Sequence, residues 1–221
     1  MAPLADAFVT LCRESSDGVS TFLVERGKEE IETRPIEKMG LRMIPYGDLH
    51  LKEVSVPLHH RIGEGNDGMI HAHQCSQVNG LRSAAQALGT AHGAFDRAMQ
   101  HAKQREQFGK KLSQFQVIRH KLADMAVSLE VARSLTYKAA LDYDRGMNDP
   151  ESLLLAQLEV GRRLISVVDE GIQIFGGYGY IAETAIEHYF RDAWAIGVEL
   201  GTEEEQKDAI AERILGPDSK K

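Results

Sequence analysis

Up to about residue 62 apolar and polar positions alternate in short β-branched and aromatic runs separated by turn residues. Ala7-Phe-Val-Thr-Leu-Cys-Arg13 and Val19-Ser-Thr-Phe-Leu-Val-Glu25 read as adjacent strands, and the Asp-Gly pair of Glu14-Ser-Ser-Asp-Gly18 between them is a hairpin signal. Gly40-Leu-Arg-Met-Ile-Pro45 and Asp48-Leu-His-Leu-Lys-Glu-Val-Ser-Val56 are predicted as two more strands, the second with a slip between Leu51 and Val54 that fits a bulge. Four strands with no helix between them predict an antiparallel sheet.

After Gly63-Glu-Gly-Asn-Asp-Gly68 the apolar period lengthens to three and four residues. Asn66 or Asp67 is placed to cap a helix running from Met69 to about Gln104, with Leu81, Ala84, Leu88, Ala91, Phe95 and Met99 on one stripe. A second helix is predicted from an N-cap at Ser113 to Arg145-Gly146, with Asn148-Asp-Pro150 as the turn into a third. The third carries Leu154, Leu158, Leu164, Val168 and Ile172 and stops at Phe175-Gly-Gly-Tyr-Gly-Tyr180, where glycines break it. Two shorter helices follow, about Thr184 to Ala195 and about Thr202 to Leu215, and the tail from Gly216 is expected to fray. The predicted fold class is α+β, mostly α: a partial antiparallel β region over residues 1–62, then an antiparallel four-to-five-helix bundle over residues 63–221.

Composition narrows the partners. With 43% hydrophobic and 27% charged residues the chain of 221 residues has a folding composition. Its 26 Lys+Arg against 33 Asp+Glu give a net charge of −7, so no global positive field invites nucleic acid. Cys12 and Cys75 form no CxxC pair and no disulfide framework, which points to a reducing, cytoplasmic compartment. The first residues show no basic stretch followed by an apolar one, and no run approaches the ~20 apolar residues of a membrane span. A soluble, unprocessed chain without a membrane partner is the expectation.

Several chemical candidates have plainer explanations. His71 and His73 have the spacing of metal ligands on a strand, but at the start of a helix residues two apart face different directions, so no metal is expected. Cys12 and Cys75 fit small buried hydrophobes. Glu203-Glu-Glu205 opposes the positive end of a helix dipole. Gly176-Gly-Tyr-Gly179 follows a helix and not a strand, so it is a helix terminator and not the phosphate loop of a Rossmann unit.

The linked arrangement says more. Arg105-Glu-Gln-Phe-Gly-Lys110, Leu112-Ser-Gln-Phe-Gln116, Gln173-Ile-Phe-Gly-Gly-Tyr-Gly-Tyr180 and Phe190-Arg-Asp-Ala193 follow in order, with Leu122-Ala-Asp-Met125 on the second helix. Ala5-Asp-Ala-Phe-Val, Ser20-Thr-Phe-Leu-Val-Glu25, Lys38-Met-Gly-Leu-Arg42 and Val54-Ser-Val-Pro57 precede them. Over nearly its whole length the chain resembles the second half of the middle β domain and the C-terminal helical domain of the acyl-CoA dehydrogenase family. The resemblance implies FAD at a subunit interface, with Arg105, Gln107 and Phe108 reaching the cofactor of a neighbouring subunit. It implies that Gln173, Gly176 and Gly177 contact the adenosine part, and that Thr202 and Glu204 lie near the flavin. A guanidinium that pairs with pyrophosphate, an aromatic face that packs on a ring and glycines that admit close backbone approach suit those roles.

The implied reaction is α,β-dehydrogenation of an acyl-CoA thioester, in which a glutamate removes the α-proton and the flavin accepts the β-hydride. The family's Ile-Tyr-Glu-Gly-Thr segment reads Val198-Glu-Leu-Gly-Thr202 here, so Leu200 takes the place of the base and Glu199, one residue earlier, becomes the candidate catalytic residue. In members whose base lies on the first long helix, that position matches Asn79 and the nearby arginine matches Gly80, with Arg82 close by. The family's N-terminal helical domain and first half-sheet have no counterpart, and the single tryptophan, Trp194, lies in the C-terminal helices. The expectation is an FAD-dependent oxidoreductase of fatty acid metabolism acting on CH–CH groups, assembled as a homo- or hetero-oligomer, a dimer of dimers. The alternatives are a non-catalytic or truncated subunit that completes a partner's flavin site, a flavin enzyme of the same fold that needs no α-proton base, such as a desulfinase or monooxygenase, and a helical scaffold without cofactor.

Overall fold

The computed structural model describes residues 2–14, 18–27, 30–147 and 151–216. Asp17 of the first predicted hairpin turn, the Asn148-Asp-Pro150 turn and the tail beyond Gly216 lie outside the described residues. The chain divides into two compact units, Met1–Val78 and Asn79–Lys221.

The first unit holds β1 (Ala7–Arg13), β2 (Val19–Glu25), β3 (Ile31–Pro35), β4 (Gly47–Leu51) and β5 (Arg61–Ile62). β1 and β2 pair antiparallel over their full length, from Ala7 opposite Glu25 to Arg13 opposite Val19, and β5 flanks β2 through Thr21 and Phe22. Phe8 and Val24 face each other across this ladder and are both buried, whereas Val9 and Leu11 on the opposite face of β1 are exposed. Two buried hydroxyls are satisfied within the unit. Ser20 Oγ donates to Glu14 and accepts from the Asn66 N–H at 3.0 Å, and Thr21 Oγ1 lies 3.0 Å from His71 Nδ1.

β3 and β4 form a separate two-stranded antiparallel sheet, and here the sequence reading needs correction. Gly40–Pro45 is not a strand: Leu41 takes a left-handed φ of 49°, the Ile44 N–H donates to its carbonyl at 3.0 Å, and Lys38 Nζ donates to the same carbonyl. The partner of β4 is instead Ile31–Pro35, a polar strand that periodicity did not single out. β4 also stops at Leu51 and does not reach Val56, because Glu53 turns the backbone with φ 50°.

The helices are α1 (Gly68–Gln104), α2 (Gln116–Asp144), α3 (Glu151–Phe175), α4 (Ile186–Leu200) and α5 (Glu203–Leu215). The division between the units falls inside α1. The buried stripe of α1 in the second unit is almost wholly alanine, Ala84, Ala87, Ala91, Ala94, Ala98 and Ala102 at three- and four-residue steps, which allows close helix approach. α3 supplies the larger side chains, among them Leu153, Val160, Leu164, Val167, Val168 and Ile174, and packs against α2, α4 and α5. Each such side chain contributes about 1.5–3 kcal/mol by leaving water.

Helix ends follow local chemistry. Ser113 is not the N-cap foreseen: Leu112–Gln114 form a 3-10 turn and α2 begins after Phe115. Buried Asp142 ties α2 to α3, accepting from Ser152 Oγ at 2.6 Å and from Lys138 Nζ at 2.7 Å, and these two partners, Lys138 first, hold its carboxyl below the usual range. α4 starts two residues later than expected because Ala185 takes φ 57°, and it runs through Gly197 to Leu200. Thr202 caps α5 as a capping box, its Oγ1 accepting from the Glu205 N–H at 3.2 Å while the Glu205 carboxylate accepts from the Thr202 N–H at 3.3 Å. The fold is α+β and mostly α, with five helices and a small antiparallel sheet region among the described residues.

Candidate functional site

Between α1 and α2 the chain makes a small hairpin of β6 (Glu106–Gln107) and β7 (Lys110–Lys111), closed by the Arg105 carbonyl accepting from the Leu112 N–H at 2.9 Å. Its two turn residues, Phe108 at φ 52° and Gly109 at φ 76°, are both left-handed, the geometry of a two-residue type I′ turn that follows the twist of the strands. Phe108 therefore stands at the tip of a short arm with 94% of its surface exposed.

At the base of that arm α3 ends where Gly176 takes φ 60°, and a 3-10 turn over Gly176–Tyr180 returns the chain toward α1. A cavity of about 540 Å³ opens here, lined by Arg105 and Gln107 from the hairpin and by Gln173, Gly176 and Gly177 from the end of α3. The Arg105 guanidinium lies 5.1 Å above the Tyr178 ring, which fixes a flat cation at the cavity. His101, one turn before Arg105, also lines the cavity; its ring stacks on Phe175 at 4.1 Å with 14° between planes, and Nε2 is buried without a hydrogen-bond partner among the described residues. Burial, and then the charge of Arg105, push the imidazole pKa down, so the ring is neutral at pH 7.

The other candidate residues gather at the corner between α4 and α5. Glu199 Oε2 accepts from Arg82 Nη2 at 3.0 Å and from Ser83 Oγ at 3.3 Å. Leu200 is 5% exposed, with its Cδ1 over Gly161 of α3, and its carbonyl accepts from the buried Gln206 amide. Arg162 of α3 grips Glu203 as a fork, Nε and Nη2 each 2.9 Å from a carboxylate oxygen. This grip and Lys207 bring the Glu203 carboxyl down to about 2 and raise the Arg162 guanidinium. Thr202 lines a second cavity of about 680 Å³ with Trp194, Gly197, Gly161 and Val198, whereas Glu199 and Glu204 line neither cavity. From Gly161 to Gln173 is roughly 18 Å along α3 at 1.5 Å per residue, so the two sites are separate places on the second unit.

Residues 66–215 match the family model described as acyl-CoA dehydrogenase, C-terminal domain. The chain belongs to the acyl-CoA dehydrogenase family. It is 36% identical over 219 residues to the 3-(aryl)acrylate reductase of Clostridium sporogenes and 35% identical over 220 residues to the Caffeyl-CoA reductase-Etf complex subunit CarC of Acetobacterium woodii, in each case 97% of this chain and 58% of the relative. Among solved structures, butyryl-CoA dehydrogenase of Megasphaera elsdenii superposes with a TM-score of 0.92 at 33% identity, covering 97% of this chain and 57% of that one. The chain thus spans less than two thirds of the length of the acyl-CoA dehydrogenase relatives it matches.

Within this family member the first cavity brings together five of the eight cofactor candidates, Arg105, Gln107, Gln173, Gly176 and Gly177. Phe108 is on the arm outside it, and Thr202 and Glu204 belong to the other corner. The donor set suits a dinucleotide: a guanidinium for phosphate, amides for base or sugar, and two glycines beside which an added Cβ would meet nothing within 4 Å. His101 was not foreseen, because a histidine on a helix stripe carries no signal until its neighbours are known. At Gly80 the Gln157 amide fills the space, only 2.6 Å from an added Cβ. Among the described residues no helix is long and apolar enough to cross a membrane.

Proposed function

We propose that the chain forms the cofactor-completing C-terminal part of an FAD-dependent acyl-CoA dehydrogenase-type flavoprotein that desaturates, or in reverse reduces, the α,β bond of an acyl-CoA thioester. The observation that carries this reading is the convergence of Arg105, Gln107, Gln173, Gly176 and Gly177 on one cavity from the hairpin and the end of α3. Arg105 pairs with the pyrophosphate, Gln107 and Gln173 offer amides, and Gly176 and Gly177 leave room for the adenosine part. Phe108, held outward by its turn, packs on the cofactor of a neighbouring subunit, so the working form is a cytoplasmic homo- or hetero-oligomer, a dimer of dimers. At the separate α4–α5 corner, Thr202 and Glu204 stand near a flavin.

When bound, FAD supplies the acceptor for the hydride from Cβ. Glu199 takes the Cα proton on its carboxylate, for which Oε2 must part from Arg82 and Ser83. Those two bonds also favour a second reading, in which the chain completes a partner's flavin site and abstracts no proton itself: Glu199 is engaged by α1, and the next residue, Leu200, is packed against α3.

A flavin absorbance spectrum of the purified chain, alone and co-expressed with the polypeptides encoded beside it, tests both. Yellow protein that bleaches anaerobically with butyryl-CoA, and no longer does so as Glu199→Gln, supports the enzyme. Bleaching that persists in Glu199→Gln removes that residue from the mechanism, and colourless protein under every condition overturns the flavin reading.

A further inference from the structure

Two donors of α1 converge on one oxygen at the end of α4. Arg82 Nη2 donates to Glu199 Oε2 at 3.0 Å, and Ser83 Oγ donates to the same atom at 3.3 Å. Both donors are held in place. Arg82 Nη1 donates to Gln86 Oε1 at 2.9 Å, Nη2 also donates to Ser83 Oγ at 3.2 Å, and Ser83 is 1% exposed. The ion pair itself is open to solvent, with 52% of the Arg82 and 37% of the Glu199 side-chain surface exposed, so a ligand reaches it without displacing the backbone. A cation and a hydroxyl aimed at a single negatively charged oxygen are the parts of an oxyanion hole, and in the resting chain the guest is the chain's own carboxylate.

We infer that Arg82 and Ser83 form an oxyanion hole for the thioester carbonyl of the acyl-CoA, whose oxygen takes the place of Glu199 Oε2 between them. The inference rests on Glu199 as the base proposed above and adds two catalytic residues to it. To take the Cα proton, Oε2 must leave both donors. The buried hydroxyl and the guanidinium then lack an acceptor, a loss made good by an oxygen arriving in the same place. The thioester oxygen suits that place because only the carbonyl carbon separates it from Cα. A base at Cα and donors at that oxygen have to be neighbours, as Glu199 is to Arg82 and Ser83. The step balances within the substrate and this chain. The Cα–H bond breaks, its proton goes to the Glu199 carboxylate, its electron pair forms a double bond from Cα to the carbonyl carbon, and the carbonyl π pair moves onto oxygen as an enolate. Negative charge passes from Glu199 to the thioester oxygen, so Arg82 faces one anion before the step and one after it. Without acyl-CoA the carboxylate returns and the corner pairs with itself.

The test uses the full chain and two acyl-CoA probes. Butyryl-CoA in deuterium oxide reports proton abstraction as loss of its Cα proton signal by NMR. Acetoacetyl-CoA reports the hole through the ultraviolet absorbance of its bound enolate, which needs no base in the protein because solvent removes that proton. Arg82→Met, at a half-exposed position that leaves the fold intact by circular dichroism, is expected to slow exchange by about 100-fold and to lose the enolate. Arg82→Lys should recover part of that loss, and Ser83→Ala should slow exchange by about five- to tenfold, the worth of one neutral hydrogen bond. Glu199→Ala is expected to abolish exchange and keep the enolate. Slower exchange in Arg82→Met with the enolate unchanged makes Arg82 a positioning residue for Glu199 and overturns the inference. Exchange and enolate both unaltered in Arg82→Met, with Glu199→Ala inactive, overturn it and leave the base standing. Binding without exchange by wild type, or exchange undiminished in Glu199→Ala, removes the base and the inference with it. No binding of either probe by wild type overturns the acyl-CoA reading and, with it, the hole.

Discussion

The two corners of the helical unit share α1 and α3 and yet differ in how completely they satisfy themselves. At the α4–α5 corner Glu199, Leu200, Thr202 and Glu203 have partners within the chain: Arg82 and Ser83, the Gln206 amide, the capping box with Glu205, and the fork of Arg162. At the hairpin corner Nε2 of His101 is left over, the space beside Gly177 is open and Phe108 faces solvent. A corner whose polar groups pair internally holds shape, and one that leaves such groups over is arranged for something else to pair with them.

That contrast can be broken most severely at Leu200. Leu200→Glu buries a carboxylate against α3 and is expected to cost about 3 kcal/mol or more. Urea denaturation checks it, and an unchanged midpoint would mean that the corner is not closed core. A smaller effect is read in acid. The Glu203 carboxyl, lowered from its ordinary 4.5 to about 2, contributes stability that is complete above pH 4.5 and is lost as pH falls toward 2. Arg162→Met should flatten that part of the stability curve and leave it unaltered at pH 7 in slope; a curve that keeps its acid slope would assign the dependence to another carboxylate. The smallest effect sharpens the contrast from the other side. Gly177→Ala adds a methyl to open space, so its thermal unfolding should stay within about 0.5 kcal/mol of wild type while flavin retention falls.

The sequence made some of this visible and hid the rest for physical reasons. β1 was legible because buried Phe8 sits between exposed Ala7 and Val9, and β2 because its β-branched and aromatic run pairs with it, Val24 opposite Phe8. Gly40–Pro45 imitated that pattern with Leu41 and Met43, but a left-handed leucine cannot continue a strand, and the side-chain pattern does not report φ. β3 was missed because Ile31-Glu-Thr-Arg-Pro35 carries almost no apolar signal; its pairing with β4 is a backbone affair. The helices were read well where alanine and leucine stripes are long, and less well at α4, whose start depends on the conformation of Ala185. Arg105, Gln107, Gln173, Gly176 and Gly177 were reached through their likeness to family motifs, and the cavity then gathered them. His101 and the Arg82–Glu199 pair, 117 residues apart in sequence, depend on contacts that no local pattern encodes.

The turn at Phe108 has a thermodynamic consequence. A phenylalanine held at φ 52° costs of order 1 kcal/mol against a glycine or asparagine there, and 94% exposure returns nothing within the chain. Any surface that covers the ring recovers about 2–3 kcal/mol of transfer free energy from a side chain already fixed in place. Where a second copy of the chain supplies that surface, the arm couples folding to concentration by mass action, and thermal unfolding then shifts with protein concentration.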